Sequence, residues 1–148
     1  MKHDAVMLMG RIHELTHKWL RGEIASAGLP GVAPSHGDVL ALLFMKGRAT
    51  MHELAAFAHR TKATTTVLVD KLEAMDLVRR AKSVDDARSK VVVLTERGAA
   101  LKEDFKRISD NLVSMIYAPI GKTEGEKLEK LLSKVLVSLE NNKERTNR

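Results

Sequence analysis

Two short β segments that follow three helical segments constrain the fold of this chain most strongly. They cover residues 77–82 and 90–95, and the second contains the uninterrupted apolar run VVVL. A short apolar run bounded by charged residues is typical of a buried strand. The stretch between the two segments carries Asp86 and Arg88. This pattern predicts an antiparallel hairpin with a charged tip.

Capping residues mark the three helices that precede the hairpin. Ser35 is expected to cap a helix that runs to about residue 46, and TMHE at 50–53 predicts a capping box that opens a short helix. Thr61 is expected to cap a third helix over residues 62–75. Three helices followed by a hairpin is the element order of a winged helix-turn-helix. We therefore predict a mostly α protein with a small β-hairpin wing.

Helices with broad apolar faces flank this central part. One is expected over residues 4–27, a long one should run from Thr95 to just before Pro119, and TEGE at 123–126 is expected to open the last. Their apolar surface exceeds what a small central lobe can cover, which indicates association, most simply with a second copy of the chain. Residues 142–148 contain no apolar side chain and are expected to form an irregular tail.

The composition limits the classes of protein to which this chain can belong. Of its 148 residues, 44% are apolar and 30% are charged, which is typical of a globular domain with a core. The absence of cysteine from the sequence excludes disulfides and thiolate metal ligands. A formal net charge of +6 favours a polyanionic partner, whereas an aromatic content of 3% argues against a stacking platform for single-stranded nucleic acid. The sequence has neither a membrane-length apolar stretch nor a leader, so we expect a cytoplasmic protein that does not enter membranes.

Residues 53–98, ELAAFAHRTKATTTVLVDKLEAMDLVRRAKSVDDARSKVVVLTERG, resemble the core of the MarR family of bacterial transcription regulators. The family pattern has a leucine-acid pair, an arginine-rich strand, a D-x-R wing tip, an apolar strand that ends in Leu-Thr, and a glycine. These elements are here Leu72-Glu73, Arg79-Arg80, Asp86 with Arg88, Leu94-Thr95, and Gly98. The resemblance implies a homodimer that binds a pseudo-palindromic operator in double-stranded DNA, most often as a repressor that a small aromatic or anionic effector releases. No cofactor is expected.

The resemblance also sets the expected organisation. The chain is predicted to be one domain, with a DNA-binding lobe over residues 34–95 and dimerisation helices over residues 4–27 and 96–141. Candidates to line an effector pocket are His13, His17, Trp19, His36 and Phe44, although ordinary packing is the more frequent role of each residue.

The helix at 62–75 and the hairpin supply the candidate DNA contacts. Thr65, Leu68 and Leu72 are expected to face inward, which leaves the outer face of the first turns for the major groove. Arg88, held by Asp86 at a rigid tip, is expected to enter the minor groove; the alternative is a solvated hairpin whose charges protect a sheet edge. The complete set of candidates is Lys62, Ala63, Thr64, Thr66, Val67, Lys71, Arg80, Asp86, Arg88 and Lys90.

Residues 13–17 read HELTH and match the H-E-x-x-H signature of zinc metalloproteases. Glu23 stands where the extended signature needs a third histidine, and too little chain precedes the motif to wall a zincin cleft. We therefore expect neither a metal site nor an enzyme, and Glu14 is expected to pair with Lys18 one turn later. Two alternatives stay open: a metal-dependent hydrolase built on HELTH, and a winged-helix module that binds proteins instead of DNA.

Overall fold

A computed structural model of the chain describes residues 4–82 and 90–146. The chain divides into two compact units, Met1–Ser109 and Asp110–Arg148, and the division falls inside a helix. The elements are, in chain order, α1 (Ala5–Ser26), α2 (Pro34–Lys46), β1 (Arg48–Thr50), α3 (Met51–Phe57), α4 (Lys62–Ala74), β2 (Val78–Lys82), β3 (Lys90–Leu94), α5 (Glu96–Ala100), α6 (Lys102–Tyr117) and α7 (Gly121–Thr146). The predicted fold class, mostly α with a small wing, is confirmed.

The sheet has one strand more than the sequence predicted. Its order is β1-β3-β2, with both pairs antiparallel. β1 has only three residues, which is too short to leave a periodic signal, and Ala49 in it lies opposite Val92 of β3. Both of these side chains are buried. The central strand is therefore paired on both edges, which anchors the hairpin to the helices.

Threonine hydroxyls cap α3 and α4 as predicted. Thr50 accepts the backbone N–H of Glu53 at 3.2 Å, and the Glu53 carboxylate accepts the N–H of Thr50 at 2.8 Å, which completes the predicted capping box. Thr61 accepts the N–H of Thr64 at 3.1 Å. These bonds satisfy amide groups that a helix N-terminus would otherwise leave unpaired. The turn between α3 and α4 is thereby fixed by local chemistry.

The start of α2 differs from the prediction. The N-cap is Ala33 and Pro34 begins the helix, whereas Ser35 was expected to cap it. The Nδ1 atom of His36, at the third position of the helix, accepts the backbone N–H of Ala33 at 2.9 Å. Burial lowers the pKa of His36, which favours the neutral ring that can act as an acceptor.

The elements after the hairpin also differ from the prediction. Thr95 caps α5, which ends after five residues, and a separate helix follows from Lys102. The predicted single long helix is therefore wrong. The last helix begins at Gly121, so TEGE lies inside it and not at its N-cap, and residues 142–146 are helical instead of irregular.

The core of the first unit joins α1, the helix-turn-helix, the sheet and the start of α6. Its largest fully buried side chains are Leu40, Leu43, Leu54, Leu72, Leu77, Val39, Val69, Val78, Val92 and Thr65. Thr65 and Leu72 face inward as predicted, whereas Leu68 is only partly buried and Val69, which the sequence analysis missed, is fully buried. The Thr65 hydroxyl donates to the carbonyl of Thr61 at 2.9 Å, so its burial leaves no polar atom unpaired.

In the second unit, α7 packs closely on the end of α6. A Cβ atom placed on Gly125 would lie 2.6 Å from the Tyr117 ring, so only glycine allows this approach, and the Tyr117 hydroxyl donates to Glu129 at 2.5 Å. The apolar side chains of α7 stay exposed: Leu128, Leu131, Leu132, Val135, Leu136, Val137 and Leu139. Among the described residues, no helix is long and apolar enough to cross a membrane.

The corner between α4 and β2 is held by the start of α5. Asp76 adopts a left-handed backbone conformation with φ of 57°, and its carbonyl accepts the Thr95 hydroxyl at 2.6 Å. The backbone N–H of Thr95 donates to the Leu77 carbonyl at 3.1 Å. Gly98 is buried directly against that carbonyl, since an added Cβ would lie 1.9 Å from the Leu77 oxygen. The end of α4 and the start of α5 are thus in backbone contact.

We expect Gly98→Ala to lower the free energy of unfolding by about 1–3 kcal/mol, because the new methyl group collides with backbone that must shift. Urea unfolding followed by circular dichroism measures this change. Gly22→Ala is the matched control, since a Cβ there meets no atom within 4 Å. Alanine is the better helix former, so the control should be neutral or stabilising by up to about 1 kcal/mol. Equal stability of the two variants would contradict the close approach at Leu77.

Candidate nucleic-acid interface

The N-terminal turns of α4 present an exposed face that the core does not use. Lys62, Ala63 and Thr64 are exposed, and 67% of Val67 is accessible to solvent. The opposite side of the helix is locked into the core by Thr65 and by the apolar residues that follow it. A short helix, a capped turn and a second helix with a free outer face form the arrangement that can lay side chains against base edges in a major groove.

The threonines of this face are less free than the sequence suggested. The Thr66 hydroxyl donates to the Lys62 carbonyl at 2.9 Å, and Thr66 itself is half-buried. The Thr64 hydroxyl oxygen accepts a hydrogen bond from the hydroxyl of Thr61 at 2.9 Å. Thr66 can therefore offer its methyl group and an acceptor oxygen without leaving its present rotamer. Val67 offers apolar surface of the kind that packs on thymine methyl groups.

Arg80, one of the predicted DNA contacts, makes ion pairs within the protein. Its guanidinium pairs with Asp70 at 2.5 Å and also with Glu73, both on α4. The backbone N–H of Arg80 donates to Glu73 at 3.0 Å. The hydrogen bond that Arg80 donates to Asp70 raises the pKa of Arg80 further, so the side chain is a permanent cation. Arg80 thus joins the wing strand β2 to the exposed side of α4.

The other predicted cations lie at the edges of this surface. Lys71 is exposed towards the C-terminal end of α4, and Lys90 is exposed at the first residue of β3. Asp86 and Arg88 lie outside the described residues. Arg79 was not among the candidates, yet it is exposed on β2 next to Arg80. Successive side chains of a strand point to opposite faces of the sheet. This alternation could have predicted that Arg79 and Arg80 have different surroundings.

The residues proposed for an effector pocket occupy separate environments. The rings of His13 and His17 stack with centroids 4.0 Å apart on α1, and burial lowers the pKa of His17. His36 caps α2 from a buried position, and Phe44 packs on a phenylalanine of α6. Trp19 is partly buried and packs against the core. Ordinary packing or capping thus accounts for the last three.

The HELTH motif shows no convergence of ligands. Glu14 pairs with Arg11 at 2.7 Å, so the predicted pair with Lys18 is wrong. In residues 4–82 and 90–146, no three histidine or acidic side chains come together as a metal site would require.

The region that contains the helix-turn-helix matches a known protein family. Residues 33–90 match the sequence profile of the MarR family. The organic hydroperoxide resistance transcriptional regulator of Bacillus subtilis is 30% identical over 101 residues, which are 68% of this chain and 65% of that protein. The match therefore spans slightly less than two thirds of that relative.

Solved structures share the fold over almost the whole chain. The MepR–DNA complex of S. aureus has a TM-score of 0.78 at 23% identity and covers 93% of this chain and 98% of that one. A MarR-family transcriptional regulator from Silicibacter pomeroyi has a TM-score of 0.68 at 29% identity, with coverage of 90% and 88%.

We expect Arg80→Met to lower the free energy of unfolding by about 1 kcal/mol, because it leaves two carboxylates of α4 without their partner while solvent screens part of the loss. Urea unfolding at fixed salt measures the change. Arg79→Met is the matched control, since Arg79 is exposed on the same strand, and it should change stability by less than about 0.5 kcal/mol. Equal effects of the two substitutions would show that the ion pairs of Arg80 with Asp70 and Glu73 do not stabilise the protein.

Proposed function

This chain belongs to the MarR family, and from that premise we propose that it is a transcriptional regulator that binds double-stranded DNA with sequence specificity. The observation that carries the proposal is the outer face of α4. Its inner side is fixed in the core, while its first turns expose Lys62 and Val67 beyond a capped turn. The similar MepR structure holds DNA, which supports the same use of this fold here.

The roles of the side chains follow from their chemistry. Val67 and Thr66 are assigned to base edges in the major groove, since both expose methyl groups there. Lys62, Lys71 and Lys90 are assigned to phosphates, because flexible exposed ammonium groups position a protein on DNA without reading its sequence. Ala63 and Thr64 allow the close approach of the helix to the backbone.

The wing completes the proposed interface. Arg88 is assigned to the minor groove and Asp86 to holding its guanidinium, on the pattern of the sequence alone. Arg80 positions the wing strand against α4 through Asp70 and Glu73 and does not itself touch DNA. The angle between the recognition helix and the hairpin is then set by an ion-pair network and not by the nucleic acid.

A homodimer is proposed because both terminal helices carry uncovered apolar side chains. On α1, Val6, Met7 and Leu8 are each more than half exposed, and α7 exposes a stripe that includes Leu131 and Leu136. Contiguous surface of this kind in a soluble domain is normally covered by a partner. A two-fold dimer presents two recognition helices to a pseudo-palindromic operator.

The proposed mode of action is repression in the cytoplasm, relieved when a small aromatic or anionic effector binds. No cofactor is required for this role. The hydrolase alternative is not favoured, because Glu14 of HELTH is engaged by Arg11 and the two histidine rings stack on each other.

The recognition helix is tested by changing one class of contact at a time. We expect Val67→Ala and Thr66→Ala to alter the preferred site in a selection from random duplexes, because both remove methyl groups from the reading face. Lys62→Gln and Lys71→Gln should instead weaken all duplexes alike and reduce the slope of affinity against salt by about 1 each. An unchanged selected site for both Thr66→Ala and Val67→Ala would show that α4 does not read bases as assigned.

The dimer is tested on α7. We expect the full chain to sediment as a dimer at micromolar concentration, and Leu136→Glu to shift it towards monomers and to weaken operator binding at least about tenfold. Ser133→Glu adds the same charge beside the apolar stripe and should leave the dimer intact. A monomeric wild-type chain would overturn both the dimer and the two-fold operator.

A further inference from the structure

Three consecutive backbone carbonyls after the C-terminal end of α4 accept hydrogen bonds from the start of α5. Nη1 of Arg97 donates to the Met75 carbonyl at 3.0 Å. The Thr95 hydroxyl donates to the Asp76 carbonyl at 2.6 Å, and the Thr95 N–H donates to the Leu77 carbonyl at 3.1 Å. The two side-chain donors lie 22 and 19 residues further along the chain than their acceptors, so these bonds connect two separate helices.

The last turn of α4 is closed before these carbonyls are reached. The amides of residues 75–77 donate to the carbonyls of residues 71–73, which completes the helix. The Met75 carbonyl lies just beyond that turn, at the C-cap. A helix C-terminus carries a partial negative charge, and its outermost carbonyls favour a cationic donor. Arg97 supplies this donor from α5.

The bond from Arg97 can be removed without disturbing the other two. Thr95 has a second role, since its hydroxyl also caps α5 by accepting the Gly98 N–H at 3.0 Å. Arg97 is exposed, and its guanidinium reaches back to α4 along the surface. Replacement of Arg97 therefore creates no cavity and leaves the cap of α5 in place.

The proposed reading face lies at the opposite end of α4 from Met75. Apolar contacts hold the inner side of α4 in the core, but they have no preferred direction, so hydrogen bonds at the helix ends fix its tilt. A helix of 13 residues is about 20 Å long, and a tilt of about 5° at its C-terminal end moves its first turn by about 2 Å. The range of good donor–acceptor distances is only about 0.5 Å wide. A small change at Met75 is thus enough to misplace the side chains around Val67.

We propose that Arg97 is a positioning residue for the recognition helix, which sets the direction of α4 in the major groove by holding its C-terminal end against α5. Arg97 itself does not touch DNA. The assignment rests on the proposed DNA-binding function. Without the bond, α4 takes up several orientations, and the affinity for the operator falls by the fraction of them that fits it. Flexible lysines on phosphates tolerate the same change, so binding to random duplex is retained.

The DNA test compares a selected duplex with a random one at fixed salt. The selected duplex is the one that the wild-type full chain enriches from a random pool. We expect Arg97→Met to weaken the selected duplex at least about fivefold, as suits the loss of one charge-assisted hydrogen bond. Its affinity for the random duplex should change by less than about twofold, because no phosphate contact is lost.

Two further variants separate the hydrogen bond from the loss of charge. Lys102→Met removes an exposed positive charge from the first residue of α6 and should change both affinities by less than about twofold. Arg97→Lys keeps a cationic donor on a long side chain and should bind the selected duplex within about threefold of wild type.

Amide chemical shifts of the ¹⁵N-labelled full chain test the bond without DNA. The Met75 carbonyl and the Asp76 amide belong to one peptide group, so loss of the bond from Arg97 should change the Asp76 shift. We expect this change in Arg97→Met and not in Lys102→Met, with the helix content of both variants unchanged by circular dichroism.

Each contrary outcome identifies which statement fails. An unchanged Asp76 shift in Arg97→Met would overturn the assignment whatever the DNA result. Equal losses on the selected and the random duplex would make Arg97 a phosphate contact, and an unchanged affinity for both would make its bond irrelevant to DNA binding; either result overturns the assignment and leaves the proposed function standing. A wild-type chain that enriches no duplex would overturn the proposed function together with the assignment.

Discussion

The backbone contact at the corner between α4 and β2 is the constraint on which the rest of the structure depends. Leu77 turns the chain there, and its carbonyl is occupied by the N–H of Thr95 and crowded by Gly98. A side chain at position 98 would separate the two segments, so the contact exists only because glycine stands there. The corner fixes where the recognition helix ends, where the wing strand begins and where the chain leaves the sheet towards α6.

The two arginines that follow this corner show how one strand serves two surfaces. Arg79 and Arg80 are neighbours in sequence, but the pleat of β2 directs them to opposite faces. Arg80 meets Asp70 and Glu73, and its charge is used within the protein to set the angle between α4 and the wing. Arg79 stays exposed on the other face of the strand. Basic residues in a DNA-binding lobe are therefore not interchangeable, since partners inside the fold decide which charges remain for a ligand.

A recognition helix needs one side that is fixed in the core and an opposite side whose residues are exposed. In α4 the buried Thr65 and Val69 hold the inner side, while the cap at Thr61 fixes the first turn. Val67 is two thirds exposed, whereas the other large apolar side chains of α4 pack against the core. Val67 lies in the second turn of α4, and the proposed packing on thymine methyl groups needs an exposed apolar side chain at this position.

The sequence by itself determined the features that depend on neighbours a few residues away. The caps at Thr50 and Thr61 and the apolar run of β3 are short-range signals that predicted α3, α4 and β3 with small errors at the ends. The cap at Thr95 is also present, but the long helix predicted after it is divided into α5 and α6. Only the tertiary structure decided the features whose partners lie elsewhere in the chain. β1 is a strand because β3 pairs with it. Arg80 links β2 to α4 because two carboxylates of α4 lie beside it. The physical reason is range: a cap or a periodic face is satisfied within one turn, whereas a strand edge or a buried charge takes its role from whatever the fold brings beside it.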